Sequence, residues 1–173
     1  MYLKGFITNL GKYNEGELIG EWIEFPIDED DLEEVLKRIG IDGENYEEYF
    51  FTDYDTDIGP DLHISEYEDI DNLNEFGELL QNIDSYQEDL VNAIVYEYDS
   101  FDYILEQLQN IDDKELIDVD NDEDLGYYII DNIYGGVEQL DKDTLERYFD
   151  YEAYGSDAAY DYDKTPYGYL YIR

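Results

Sequence analysis

The 75 residues from Ile39 to Asp113 contain no Lys or Arg, so whatever this stretch folds into must hold its carboxylates without internal salt bridges. Over the whole 173-residue chain 49 Asp and Glu stand against 9 Lys and Arg, a formal charge of −40. Self-repulsion of that size opposes a compact state. The charge is also evenly spread, at −13 over residues 1–60, −14 over 61–110 and −13 over 111–173. An acidic disordered tail would concentrate its charge and be poor in aromatics. This chain is 43% hydrophobic and 17% aromatic, with only three prolines. It reads as a folded protein that presents negative charge along its whole length, and its partner reads as strongly basic.

Several function classes fall away on composition. There is no cysteine, hence no disulfide framework, thiolate nucleophile or zinc-thiolate site. His63 is the single histidine, so Ser-His-Asp and His-metal arrangements lack a second member and His63 reads as a surface residue. The start, Met1-Tyr2-Leu3-Lys4-Gly5-Phe6, lacks the basic and apolar regions of a signal peptide, and no stretch approaches the roughly 18 apolar residues of a membrane span. A soluble, cytoplasmic protein is expected. Anionic lipid and nucleic acid would repel its surface, so neither membrane nor nucleic acid is expected as a direct partner.

Hydrophobic periodicity divides the chain into three segments and predicts an α+β protein of three small domains in a row, elongated because spreading like charges lowers their repulsion. In residues 1–60, Tyr2 to Leu10 and Gly20 to Ile27 read as strands joined by a loop from Gly11 to Gly16. Asp30 or Asp31 caps a helix bearing Leu32, Val35, Leu36 and Ile39, with Gly40 as terminator. A third strand, Tyr49 to Tyr54, completes a β-β-α-β unit. In residues 61–110 the apolar period becomes 3.6. Leu73, Phe76, Leu80 and Ile83 form one stripe, Leu90, Ala93 and Ile94 a second, and Phe101, Ile104, Leu105 and Leu108 a third. Asp84-Ser85 and Asp99-Ser100 supply caps for a helical bundle with an acidic exterior. Residues 111–173 mix both periods. They show a strand from Glu115 to Val119, a helix using Leu125, Tyr128, Ile129 and Ile133 that ends at Gly135-Gly136, a helix from Asp141 or Asp143 containing Leu145, Tyr148 and Phe149, and a closing strand from Tyr167 to Ile172.

Acid-rich loops invite a calcium reading, which fails in detail. Asp53 to Gly59 places its glycine one position late and Ile64 where a bidentate Glu belongs; Asp118 to Asp124 has Glu123 for the glycine and Ile129 at the twelfth position. With 49 carboxylates, some pair at glycosidase spacing is guaranteed and carries no information. Gly5, Gly11, Gly16 and Gly20 do not form a phosphate-binding spacing. No cofactor and no catalysis are expected. The 21 tyrosines read two ways, as core on the apolar stripes or as interface in runs such as Tyr96-Glu97-Tyr98-Asp99 and Tyr160-Asp161-Tyr162-Asp163. Tyrosine fills space between carboxylates without adding a cation, and it is enriched at interfaces.

Duplex DNA carries one charge per roughly 1.7 Å of axis. Forty charges at that density span about 68 Å, or roughly 20 base pairs, a length that three small domains in a row can reach. Competitive inhibition of a DNA-binding protein is therefore the leading expectation, with electrostatic steering making association fast and salt-sensitive. The candidate phosphate-like groups are Asp53, Asp55, Asp57, Glu66, Glu68, Asp69, Asp71, Glu75, Glu78, Asp84, Glu88, Asp89, Glu97, Asp99, Asp102, Glu106, Asp118, Asp120, Asp122, Glu123 and Asp124. The alternative is an acidic binding module or chaperone for another basic DNA-binding protein.

Two stretches resemble a known family. Residues 7–22, Ile-Thr-Asn-Leu-Gly-Lys-Tyr-Asn-Glu-Gly-Glu-Leu-Ile-Gly-Glu-Trp, look like the N-terminal signature of ArdA-type antirestriction proteins. Arg147, Tyr148, Phe149, Asp150, Tyr151, Glu152, Ala153, Tyr154, Gly155, Ser156 and Asp157 are similar to that family's antirestriction motif. The resemblance implies an elongated three-domain homodimer that mimics bent B-form DNA. It would occupy the DNA-binding groove of type I restriction-modification enzymes, chiefly their methyltransferase core, in the bacterial cytoplasm and encoded on a mobile element. It also implies that Arg147, Tyr148, Phe149, Asp150, Tyr151, Glu152, Tyr154, Gly155 and Asp157 serve the motif or the dimer. The family usually carries Arg before the motif's Asp; here Ser156 precedes Asp157. The rings of Tyr148, Phe149, Tyr151 and Tyr154 read equally well as packing of the third domain.

Overall fold

The computed structural model describes residues 1–136, 143, 147 and 149–172, and among these it is an α+β protein with seven helices and two three-stranded antiparallel sheets. Contacts gather the chain into two compact units, one from residues 1–88 with 98–109, the other from 89–97 with the chain after 109. The helices of residues 61–110 are thus shared between both units.

In the first unit, β1 (Leu3–Asn9) lies between β2 (Gly20–Phe25) and β3 (Tyr49–Thr56), antiparallel to each. Alternation along β1 turns Leu3, Gly5 and Ile7 to the core face, in register with Phe25, Ile23 and Phe51, all of them buried. Lys4 and Phe6 point the other way, opposite Glu24 and Trp22. The expected Gly11–Gly16 loop is instead mostly a short helix, α1 (Leu10–Asn14). Buried Asn9 explains the difference: its Oδ1 accepts the Lys12 N–H at 2.9 Å, capping α1, while its Nδ2 donates to the Ile39 carbonyl at 3.1 Å.

Helix α2 (Glu29–Arg38) starts two to three residues earlier than expected, because Asp28 is the cap and accepts the Asp31 N–H at 2.8 Å. Val35 and Ile39 of its stripe are buried, and Gly40 ends it at φ +84°. Helix α3 (Ile70–Gln81) buries Leu73, Phe76 and Leu80, and α5 (Phe101–Gln109) buries all four residues of its stripe; Phe76 and Phe101 meet at 5.1 Å. Ile83 falls just beyond α3 and is half-buried. Asp84 caps the 3₁₀ turn Ser85–Gln87 through a capping box. Gly77 lets α3 close on β2, since a Cβ there would lie 2.5 Å from the Phe25 carbonyl carbon. Beside it, Asn74 accepts the Ile27 N–H at 2.8 Å and donates to the Ile27 carbonyl at 3.0 Å. Asn74→Leu strands both backbone groups of Ile27 and is expected to cost about 1–3 kcal/mol, read as a lowered urea midpoint with unchanged slope.

In the second unit α4 (Glu88–Glu97) buries Leu90, Val91, Ala93, Ile94 and Val95, two more than its predicted stripe. The expected strand 115–119 shrinks to β4 (Leu116–Ile117). It pairs with β6 (Gly168–Tyr171), which also pairs with β5 (Tyr162–Thr165); β5 was not anticipated. Helix α6 (Asp122–Asn132) is capped by Asn121 and buries Leu125, Ile129 and Ile130. Ile133, expected on that stripe, lies past the helix end and is 58% exposed. Gly135 and Gly136 follow at φ +84° and +88°. Of the helix expected from Asp141 or Asp143, residues Asp141, Leu145 and Tyr148 lie outside the described residues. Asp150 caps the last helix, α7 (Tyr151–Ala158).

Candidate partner-binding surface

Several carboxylates are held by donors that leave the charge in place. Cations do pair with acids near the N-terminus, where Arg38 grips Glu21 with two bonds of 2.9 and 2.8 Å and Lys12 meets Glu15 at 3.1 Å. Elsewhere backbone N–H groups and phenols serve. Asp42 accepts N–H bonds from Tyr46, Asn45 and Glu44 and an amide bond from Asn45, which together hold its carboxyl far below the usual range. Tyr2 bonds two acids at the end of β3 and just past it, its N–H donating to Asp57 at 2.9 Å and its hydroxyl to Asp55 at 3.2 Å. Tyr128 donates to Glu115, and Tyr169 to Asp122, which also accepts the Ser156 hydroxyl at 2.8 Å. The Tyr169 and Ser156 bonds hold Asp122 below the ordinary carboxylate value.

All of the 21 candidate phosphate-like carboxylates are described, and none is buried; Glu68, Glu75, Glu97 and Asp122 are half-buried and the others exposed. Their settings differ. Asp53, Asp55 and Asp57 alternate along and just past β3, an extended run rather than a metal loop, which spaces them about 6.6–6.8 Å apart. One such row carries roughly a quarter of the charge density of duplex DNA, so about four rows are needed to match it. Asp71, Asp102, Glu123 and Asp124 sit in first helical turns, where the helix dipole favours negative charge. Asp69 and Asp84 are caps, and Glu75 accepts an amide bond from Gln109 at 2.5 Å. Glu66, Glu78, Asp99, Asp118 and Asp120 are exposed, as are Glu88, Asp89 and Glu106 on their helices. His63 is exposed too.

The tyrosines divide. Tyr151 and Tyr169 are buried, whereas Tyr67, Tyr86, Tyr103 and Tyr160 are each at least 60% exposed. In the C-terminal motif, Tyr151 stacks on Tyr127 at 3.8 Å, Phe149 packs on Tyr151 and Tyr154, and Tyr154 lies against the core of Ile117, Leu125, Ile129 and Tyr169. Gly155 meets the Asp122 backbone so closely that a Cβ would overlap its carbonyl oxygen. Arg147, Glu152 and Asp157 are exposed; Tyr148 lies outside the described residues. Much of this motif is therefore architecture. So is much of the N-terminal signature, where Asn9 joins α1 to α2 and Lys12 lies over the Tyr46 ring at 4.7 Å while the Tyr46 hydroxyl donates to Glu15 at 3.0 Å.

The tyrosine-carboxylate bonds escaped sequence reading because the partners are far apart, Tyr2 from Asp55 and Tyr169 from Asp122. The excess of tyrosine over cations was the signal available. These bonds predict an alkaline transition. Burial, then the bond to Asp122, pushes the Tyr169 hydroxyl up to about 12; the bond to Glu115, then burial, does the same for Tyr128. The folded values exceed the ordinary value near 10, so this stability is complete below about pH 10 and is lost as pH rises through about 12. The second unit is expected to unfold across that window, followed by phenolate absorbance and circular dichroism. A titration in which every phenol ionises near 10 would contradict the assigned bonds.

This surface belongs to an acidic α+β protein whose candidate carboxylates are exposed or half-buried. The family described as antirestriction protein (ArdA) matches residues 5–171, nearly the whole chain, and the chain belongs to that family. Antirestriction is the function of the family. A comparison with curated proteins found no match. No helix among the described residues is long and apolar enough to cross a membrane.

Proposed function

We propose that this chain is a noncatalytic mimic of B-form DNA that inhibits type I restriction-modification enzymes by occupying their DNA-binding groove, chiefly that of the methyltransferase core. In this reading segments 1–60, 61–110 and 111–173 act as consecutive domains, and two copies join through the C-terminal region in the bacterial cytoplasm. The observation that carries it is the way acids are held: Asp55, Asp57, Glu115 and Asp122 are fixed by hydroxyl and N–H donors that leave them charged. A phosphate row has the same property, charge fixed in place without counter-charge from its own scaffold. A groove lined by Lys and Arg attracts either, and the attraction weakens as salt rises.

The deciding experiment is competition. Purified protein should displace duplex DNA from a type I methyltransferase at stoichiometric concentration, and more weakly as salt rises. Absence of displacement at low salt overturns the proposal.

A further inference from the structure

Strand β2 is an edge. Strand β1 lies on one side of it, and among the described residues no strand lies on the other. Along that side runs a cleft of about 400 Å³ lined by residues 21–24 of β2 and by Asp31, Glu34, Val35 and Arg38 of α2. Successive strand side chains alternate faces, so four consecutive residues border one cleft only where it follows the strand's edge. The helix residues are spaced i, i+3, i+4 and i+7, which is one face of α2. The slot therefore has a strand edge for one wall and a helix face for the other, the arrangement into which an extended chain adds as a further strand.

Charge chooses the occupant. An antiparallel second copy of β2 centred on Trp22 and Ile23 would set Glu21 opposite Glu24, and like charges opposite one another destabilise a pair of strands. The walls carry Glu21, Glu24, Asp28, Asp31 and Glu34 against the single lining cation Arg38, which pairs with Glu21 and, at 3.8 Å, with Glu34, while Glu24 meets Lys4 at 3.5 Å; the cleft keeps a net negative charge. We propose that the β2–α2 cleft binds an extended segment of a partner protein bearing Lys or Arg at alternate positions, by strand addition to β2. This contact is separate from mimicry of the DNA backbone, since it reads main-chain hydrogen bonds as well as charge.

The test uses the full ¹⁵N-labelled chain and a decapeptide of alternating Lys and Val. Shift changes confined to residues 20–25 and 28–38, with slowed hydrogen exchange of outward β2 amides, are expected. The same peptide N-methylated at alternate residues on its pairing edge keeps its charge and should bind at least tenfold more weakly. Equal binding of the N-methylated peptide, shifts spread over carboxylates throughout the chain, or equal binding of a Glu-Val peptide would each overturn the proposal. Displacement of DNA from a methyltransferase is unaffected by any of these outcomes, so the two readings fail separately.

Discussion

Gly155→Ala is expected to unfold the second unit or leave it without fixed packing. A Cβ at 155 overlaps the carbonyl oxygen of Asp122, and on the facing helix a Cβ at Gly126 would lie 2.6 Å from the Tyr151 carbonyl oxygen. Two glycines, one on each helix, thus set the approach of α6 and α7. Overpacking usually costs about 1–3 kcal/mol when side chains can yield. Here the obstacle is backbone at the capped start of α6, so at least about 3 kcal/mol is expected, against native stabilities of roughly 5–15 kcal/mol. Ser156→Ala is the control, since it removes only the hydroxyl's bond to Asp122 and should cost about 1 kcal/mol. Urea denaturation distinguishes them. Equal stability of the two variants would mean that the helices are not held at this distance. If Gly155→Ala is much the less stable, loss of antirestriction in a Gly155 variant reports a lost fold rather than a lost contact.

Reversal of exposed acids is expected to act the other way, on binding and not on folding. The structure decides which acids are suitable. Asp84 is a cap, Glu75 accepts an amide bond, and Asp122 accepts two hydroxyls, so reversing any of them costs stability. Glu66, Glu78, Asp99 and Asp120 are exposed and cap no helix. Changing all four to Lys shifts the net charge from −40 by about eight units and relieves like-charge repulsion. Affinity for the methyltransferase should fall at least tenfold at low salt, about 1.4 kcal/mol or more, chiefly through slower association. Helical circular dichroism and the urea midpoint should hold or rise. Unchanged affinity would place the contact on other carboxylates.

How far the fold could be read in advance follows from the range of each signal. The stripes of α3 and α5 and the strands of the first sheet were legible because periodicity is local and nearly every residue in them obeys it. Strand β4 was overextended and β5 missed because a two-residue bridge and a four-residue edge, rich in Tyr, Asp and Lys, carry too little alternation. Helix α1 was missed because its cap, Asn9, also serves Ile39, a contact 30 residues away. The acids were legible as a total and not as a pattern. Nothing in the sequence separates Asp84, a helix cap, from Asp99, which is simply exposed.

The sequence alone determined that this chain is folded, acidic over its whole length, and unable to neutralise the stretch from Ile39 to Asp113 from within, since those are properties of composition and spacing. Membership of the antirestriction family was legible in two short motifs. Only the tertiary structure decided how the charge is borne. Tyr2, Tyr128 and Tyr169 reach carboxylates that are remote in sequence, and a phenol bonded to a carboxylate fixes its position while leaving its charge for a partner. It likewise decided that Tyr151, Tyr154 and Gly155 of the C-terminal motif face inward, because close approach of two helices depends on which residues oppose each other across the gap, and that is set by packing and not by order along the chain.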